Sequence, residues 1–194
     1  MAGACVACGR SARDPAWTRP EKVASWGRWA TGVAVAIPVG YAITRFAWAL
    51  GVPLGVSQQL LDELGTAVYF GAGLAGLAVV GALLTPGLVE RWGEVFPRWL
   101  PGLGGRKVPV GLAVVPATVV SVVLASAGLM YVRLAVTGQI AAMFPGENAD
   151  VAAWLPEMFW PLWAAALAAA TYAYWLRRRG VCRYCHRGNV SATA

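Results

Sequence analysis

The stretch VPVGLAVVPATVVSVVLASAGLMYVRLAV, residues 108–136, decides the fold class. No charged residue stands between Lys107 and Arg133. A helix needs about 20 apolar residues to cross a hydrocarbon layer about 30 Å thick, and this run is longer than that. It shows no period of two, so a strand reading fails. A membrane-spanning helix is the expectation, and three more runs repeat it. They cover about residues 29–50, with the single charge Arg45, about 65–86, inside the uncharged interval between Glu63 and Glu90, and about 158–176, between Glu157 and Arg177. The expected fold is therefore all-α: a four-transmembrane-helix bundle over 29–176, flanked by polar tails at 1–28 and 177–194.

Composition agrees. The chain has 194 residues, of which 58% are hydrophobic and 13% charged, and its mean hydropathy is +0.58. An ordinary soluble domain carries about 25% charged residues, so water is not the expected solvent. Residues 1–28 are polar and basic with no apolar core beside a cleavage site, so the first hydrophobic run is expected to be a retained helix. A net charge of +7 would raise nucleic acid as a partner in a soluble protein. Here the basic residues flank apolar runs, which points to the bilayer instead and excludes a nucleic-acid function.

Their distribution predicts orientation. The two tails and the loop 89–107 carry 14 of the 16 basic residues against four acids, a net of +10. The opposite side holds Arg45 and Arg133 with Asp62, Glu63, Glu147, Asp150 and Glu157, a net of −3. The positive-inside rule places the basic side in the cytoplasm. The expectation is a multi-pass bacterial inner-membrane protein, N-in and C-in. In the loop 89–107, Trp92, Phe96 and Trp99 fall at helical spacing, which suggests a short helix in the headgroup layer; its aromatic face reads as an aromatic belt at the helix ends, with a partner-docking surface as the alternative.

Arg45-Phe-Ala-Trp-Ala-Leu-Gly-Val-Pro-Leu-Gly55 and Arg91-Trp-Gly-Glu-Val-Phe-Pro-Arg-Trp99 resemble segments of small four-helix integral membrane proteins of actinobacteria. The resemblance implies the architecture and the source. It carries over no functional residue.

The strongest chemical signal is the cysteines. All four fall in two C-x-x-C pairs, Cys5/Cys8 and Cys182/Cys185, one in each tail. Reducing conditions in the cytoplasm disfavour structural disulfides. Two thiolates on one turn supply half a tetrahedron, and a second turn supplies the rest. A zinc knuckle joining both tails is the leading expectation, with iron as the second metal. Free thiols in two separate tails and thiol redox chemistry stay open. Cys182-Arg-Tyr-Cys185-His186 also matches a c-type haem attachment pattern, but that attachment occurs outside the cytoplasm and leaves the other pair unexplained.

Arg45 and Arg133 form the second signal. They sit in similar phrases, Gly40-x-x-x-x-Arg45-Phe-Ala47 and Gly128-x-x-x-x-Arg133-Leu-Ala135, which suggests two pseudo-repeated helical hairpins. Together they could hold the anionic group of an amphiphile. Alternatively each snorkels to the headgroups or pairs with Asp62, Glu63 or Glu157. Small residues such as Ala67, Gly71 and Ala75 mark close helix packing, within the bundle or across a homodimer. Pro38, Pro116 and Pro161 fall inside spans and predict kinks. No Asp, Glu or His falls inside a span, and no phosphate loop or catalytic triad pattern appears; no catalytic residue is assigned. The functional expectation is a non-enzymatic membrane scaffold or accessory subunit. The alternatives are a binder or transporter of an anionic amphiphile and a membrane thiol-disulfide oxidoreductase.

Overall fold

The computed structural model describes residues 24–96, 101, 104–140 and 151–179. These form six α-helices: α1 (Ser25–Ala49), α2 (Gln58–Leu64), α3 (Ala67–Leu84), α4 (Val110–Val136), α5 (Val151–Met158) and α6 (Trp160–Arg179). Two 3-10 turns, Thr85–Leu88 and Arg91–Gly93, follow α3. Among the described residues there is no strand beyond one antiparallel bridge, Val95 to Lys107.

Among the described residues, three helices are long and apolar enough to cross a membrane: α1, α3 with its 3-10 extension to Leu88, and α4. The 20-residue α6 is not among them. Its tryptophans, tyrosines and terminal arginines lower its hydropathy, although its alanine-rich middle does not.

Solvent preference is inverted relative to a soluble bundle. Only 11% of the most apolar window of α4 and 17% of that of α3 is buried. Phe70, Leu77 and Leu83 of α3 and Val119, Val122 and Leu129 of α4 point outward. The core is instead built of small residues: Ala34 and Ala42 from α1, Ala75 and Ala78 from α3, and Ala164, Ala166 and Ala170 from α6, closed by Tyr41, Trp163 and Tyr174. In lipid, burying a leucine gains little over leaving it among acyl chains, so the contact surfaces select residues that let backbones approach. Gly128 shows the consequence: a Cβ there would lie 2.5 Å from Pro161 Cδ.

α3 leans on α1, α1 on α6, and α6 on α4. The two interior helices are thus α1 and α6. A parallel twofold relating the hairpin α1–α3 to the hairpin α4–α6 would carry the α1–α6 packing onto α4 and α3, and no packing on that scale joins those two. The paired glycines differ as well. Gly128 is pressed against Pro161, whereas a Cβ on Gly40 would meet nothing within 4 Å. The similar phrases around Arg45 and Arg133 are therefore not expressed as symmetry.

Two local expectations change. Pro161 stands in the first turn of α6, where its missing N–H has no intrahelical partner to lose, so it starts the helix and does not kink it. Pro38 and Pro116 do lie inside α1 and α4. The headgroup-layer helix is absent from its described part. After the 3-10 turn Arg91–Gly93, the chain extends and pairs with residues 105–108: Phe96 N–H donates to Arg106 at 2.9 Å and Val108 N–H to Glu94 at 2.8 Å. Gly93 cannot be replaced within this turn without displacement, because a Cβ would collide with the Gly87 carbonyl oxygen. Trp99 lies outside the described residues.

At the far end from the tails, α2 and α5 form a cap. Ser57 accepts the Leu60 N–H at 3.2 Å and so starts α2. Leu60, Leu61 and Ala153 pack on Trp48, while Asp62 and Glu63 face outward.

Candidate functional site

Two polar clusters stand at opposite ends of the helices. At the far end, Arg45 in the last turns of α1 forms an ion pair with Glu157 of α5. Its guanidinium also donates to the Ala153 carbonyl at 3.3 Å and lies over the rings of Trp48, at 4.3 Å, and Tyr41, at 5.1 Å. Both charged side chains are nearly excluded from solvent, at 11% and 6% exposure. Tyr41 and Tyr131 each meet the Trp160 ring edge-on, at 5.9 and 5.7 Å. Burial pushes the Glu157 carboxyl above the usual carboxylate range, against the opposing pull of Arg45. Among the described residues, Glu157 Oε2 and Trp160 Nε1 have no hydrogen-bond partner.

Arg133 is not part of this cluster. It is exposed near the end of α4, and its side chain makes no ion pair or hydrogen bond among the described residues. Arg133 therefore shares none of the contacts that hold Arg45. In the sequence, Glu157 is one of three acids, with Asp62 and Glu63, available to neutralise Arg45. The choice follows from α5, whose short helical turn sets Ala153 and Glu157 one above the other on α1.

At the tail-bearing end, α6 finishes in a latch. Arg177 donates to the carbonyls of Val89, at 2.8 Å, and Leu88, at 3.2 Å, and pairs with Glu94 at 2.9 Å. Arg178 donates to Val108 O at 2.7 Å and the Tyr174 hydroxyl to Gly93 O at 3.2 Å. Both guanidiniums lie 5.8 Å from the Tyr174 ring. The carbonyls of Leu88 and Val89 end a 3-10 turn, where backbone acceptors have lost their helical donors. Cations there satisfy them and meet the negative end of the helix dipole. In the sequence these arginines read as topogenic charge; the spacing Tyr174, Arg177, Arg178 places them on one face, but nothing in it identifies their acceptors.

The tail roots meet at this same end. The Trp26 ring, one residue into α1, stands 6.5 Å from Tyr172, which stands 5.7 Å from Trp175. Cys5, Cys8, Cys182 and Cys185 lie outside the described residues, as does His186. Among the described residues, no group of three or more metal-ligating side chains occurs.

Comparison with family models, with curated proteins and with solved structures finds no match.

Proposed function

We propose that the chain is a four-spanning protein of a bacterial inner membrane, with both tails in the cytoplasm, and that it serves as a scaffold or accessory subunit for a membrane partner. α6 is the fourth span in this reading. Its length of about 30 Å, at 1.5 Å per residue, equals a hydrocarbon core, and Trp163, Tyr174 and Arg177 of its polar-tipped residues are buried within the structure. The apolar exterior of α3 and α4 supports the bilayer as solvent.

The observation that carries the reading is the contact of Trp26 with Tyr172. It starts both tails from neighbouring points at the basic end. Cys182 follows Arg179 by three residues, and the N-terminal tail is long enough to bring Cys5 and Cys8 to it. On this reading the four thiolates hold one zinc, or less favourably iron, and the metal ties the tails into one cytoplasmic module. Four sulfurs without an open position make a structural site, which suits docking and not catalysis.

Metal analysis of the reduced, purified full chain tests this. About one zinc per chain is expected, lost in Cys8→Ser together with protection of the C-terminal tail from protease. Below about a tenth of an equivalent of zinc or iron in wild type, the metal-joined scaffold is abandoned. A reversible two-electron thiol couple in the same metal-free sample would favour the oxidoreductase.

A further inference from the structure

Between α4 and α6 runs an open groove of about 670 Å³, within the range of about 300–1,000 Å³ typical of ligand sites. It extends from Val114 and Trp175, near the tail-bearing end, to Leu129 and Pro161. Its floor is small: Ala125, Ala164, Ala165 and Ala168. The hydroxyls of Thr118, Ser121 and Thr171 that border it each donate to the carbonyl four residues back in their own helix, at 2.7, 2.8 and 2.7 Å. The groove therefore offers hydrocarbon contact along its length. At the far end Gly128 admits Pro161 closely, so α4 and α6 approach each other there.

Charge gathers just beyond the tail-bearing end of the groove. Arg178, three residues past the groove-lining Trp175 on α6, donates to the carbonyl of Val108 just ahead of α4, and its Nε has no partner among the described residues. Arg106 and Lys107, next to Val108, are exposed. Of the nearby acids, Glu94 is held by Arg177 and Glu90 faces outward. Trp26, Tyr172 and Trp175 form an aromatic row beside the mouth, the arrangement found at headgroup level.

We propose that this groove holds an acyl chain of an anionic phospholipid, with the phosphate against Arg106, Lys107 and Arg178. The proposal rests on the membrane reading above. From Val114 to Leu129 the groove is about 22 Å long, at about 1.5 Å per residue, enough for a chain that fills one leaflet of about 15 Å. A second copy of the helix pair would meet the same cationic mouth with its own, and like charges would oppose it; an anionic lipid matches it. At the far end Arg45 is neutralised by Glu157, which leaves the exposed Arg133 as a single cation among the described residues there, against three at the mouth.

The test uses the full chain in nanodiscs of one part phosphatidylglycerol to four parts phosphatidylcholine, followed by detergent extraction and mass analysis of retained lipid. Wild type should retain about one phosphatidylglycerol per chain, enriched over the bulk ratio. Arg106→Gln with Lys107→Gln, both exposed, should lower that enrichment by about fivefold per charge. Ala168→Phe, an exposed position that fills the floor, should remove retained lipid of both kinds. Bulk-ratio lipid on wild type overturns the proposal, as does an unchanged complement on Ala168→Phe. A wild-type dimer dissociated by Ala168→Phe would assign the groove to a second copy and overturn it too. Failure to enter nanodiscs at all would instead overturn the membrane reading.

Discussion

Arg177 reaches from the last turn of α6 to Glu94, at 2.9 Å, in the connection between α3 and α4, and the same guanidinium takes the carbonyls of Leu88 and Val89. One side chain thus closes the end of a 3-10 turn and fixes the point at which the C-terminal tail leaves the helices. At 9% exposure it is buried, and its removal would leave Glu94 without its cation and two carbonyls without donors.

Arg177→Ala is expected to destabilise the protein by about 2–4 kcal/mol, the scale of losing charge-assisted hydrogen bonds at a buried site. Arg177→Lys should recover part of this, because an ammonium cannot span two carbonyls and a carboxylate as a planar fork does. Thermal unfolding in a mild detergent, with protease sensitivity of the C-terminal tail as a second readout, checks it. Equal stability of Arg177→Ala and wild type would remove the latch from the account.

The Arg45–Glu157 pair should behave as a buried pair. Arg45→Met alone should cost about 3–5 kcal/mol, since it strands a buried carboxylate. Arg45→Met with Glu157→Leu should cost far less than either single change, because the desolvation penalty of both charges disappears together. A double-mutant cycle measured by denaturation measures this coupling, and additive single effects would contradict the geometry.

Gly128 and Gly40 provide an internal comparison. Gly128→Ala must displace Pro161, at an expected cost of about 1–3 kcal/mol from overpacking. Gly40→Ala meets open space and should be neutral or stabilising by up to about 1 kcal/mol, from the lower flexibility of the unfolded chain. Similar losses at the two positions would restore the pseudo-repeat that the packing does not express.

Reporter fusions test orientation. Reporters fused after residue 194 and at the N-terminus should signal a cytoplasmic location, and one inserted after Gly55 the opposite side. The basis is the +10 against −3 partition of charge. An external C-terminus would overturn the proposal of a cytoplasmic metal site shared by the tails.

The sequence by itself determined the helical class, the approximate limits of the long helices and the segregation of charge to two ends. These properties are local, because the length of an uncharged apolar run or the placement of an arginine beside one is read residue by residue. Pairing was not legible in the same way. Arg45 and Arg133 sit in matching phrases, yet one is buried against Glu157 and the other is exposed. The loop pattern Trp92, Phe96, Trp99 reads as helical, yet its first part extends, because Gly93 is seated on Gly87 and Val95 pairs across to Lys107. Only the tertiary structure decided that α1 and α6 lie inside, that α2 and α5 cap the far end, and that Arg177 and Arg178 bind carbonyls. In lipid the hydrophobic effect does not choose between helix faces; close packing and hydrogen bonds do, and both depend on how each helix is rotated and crossed against its neighbours.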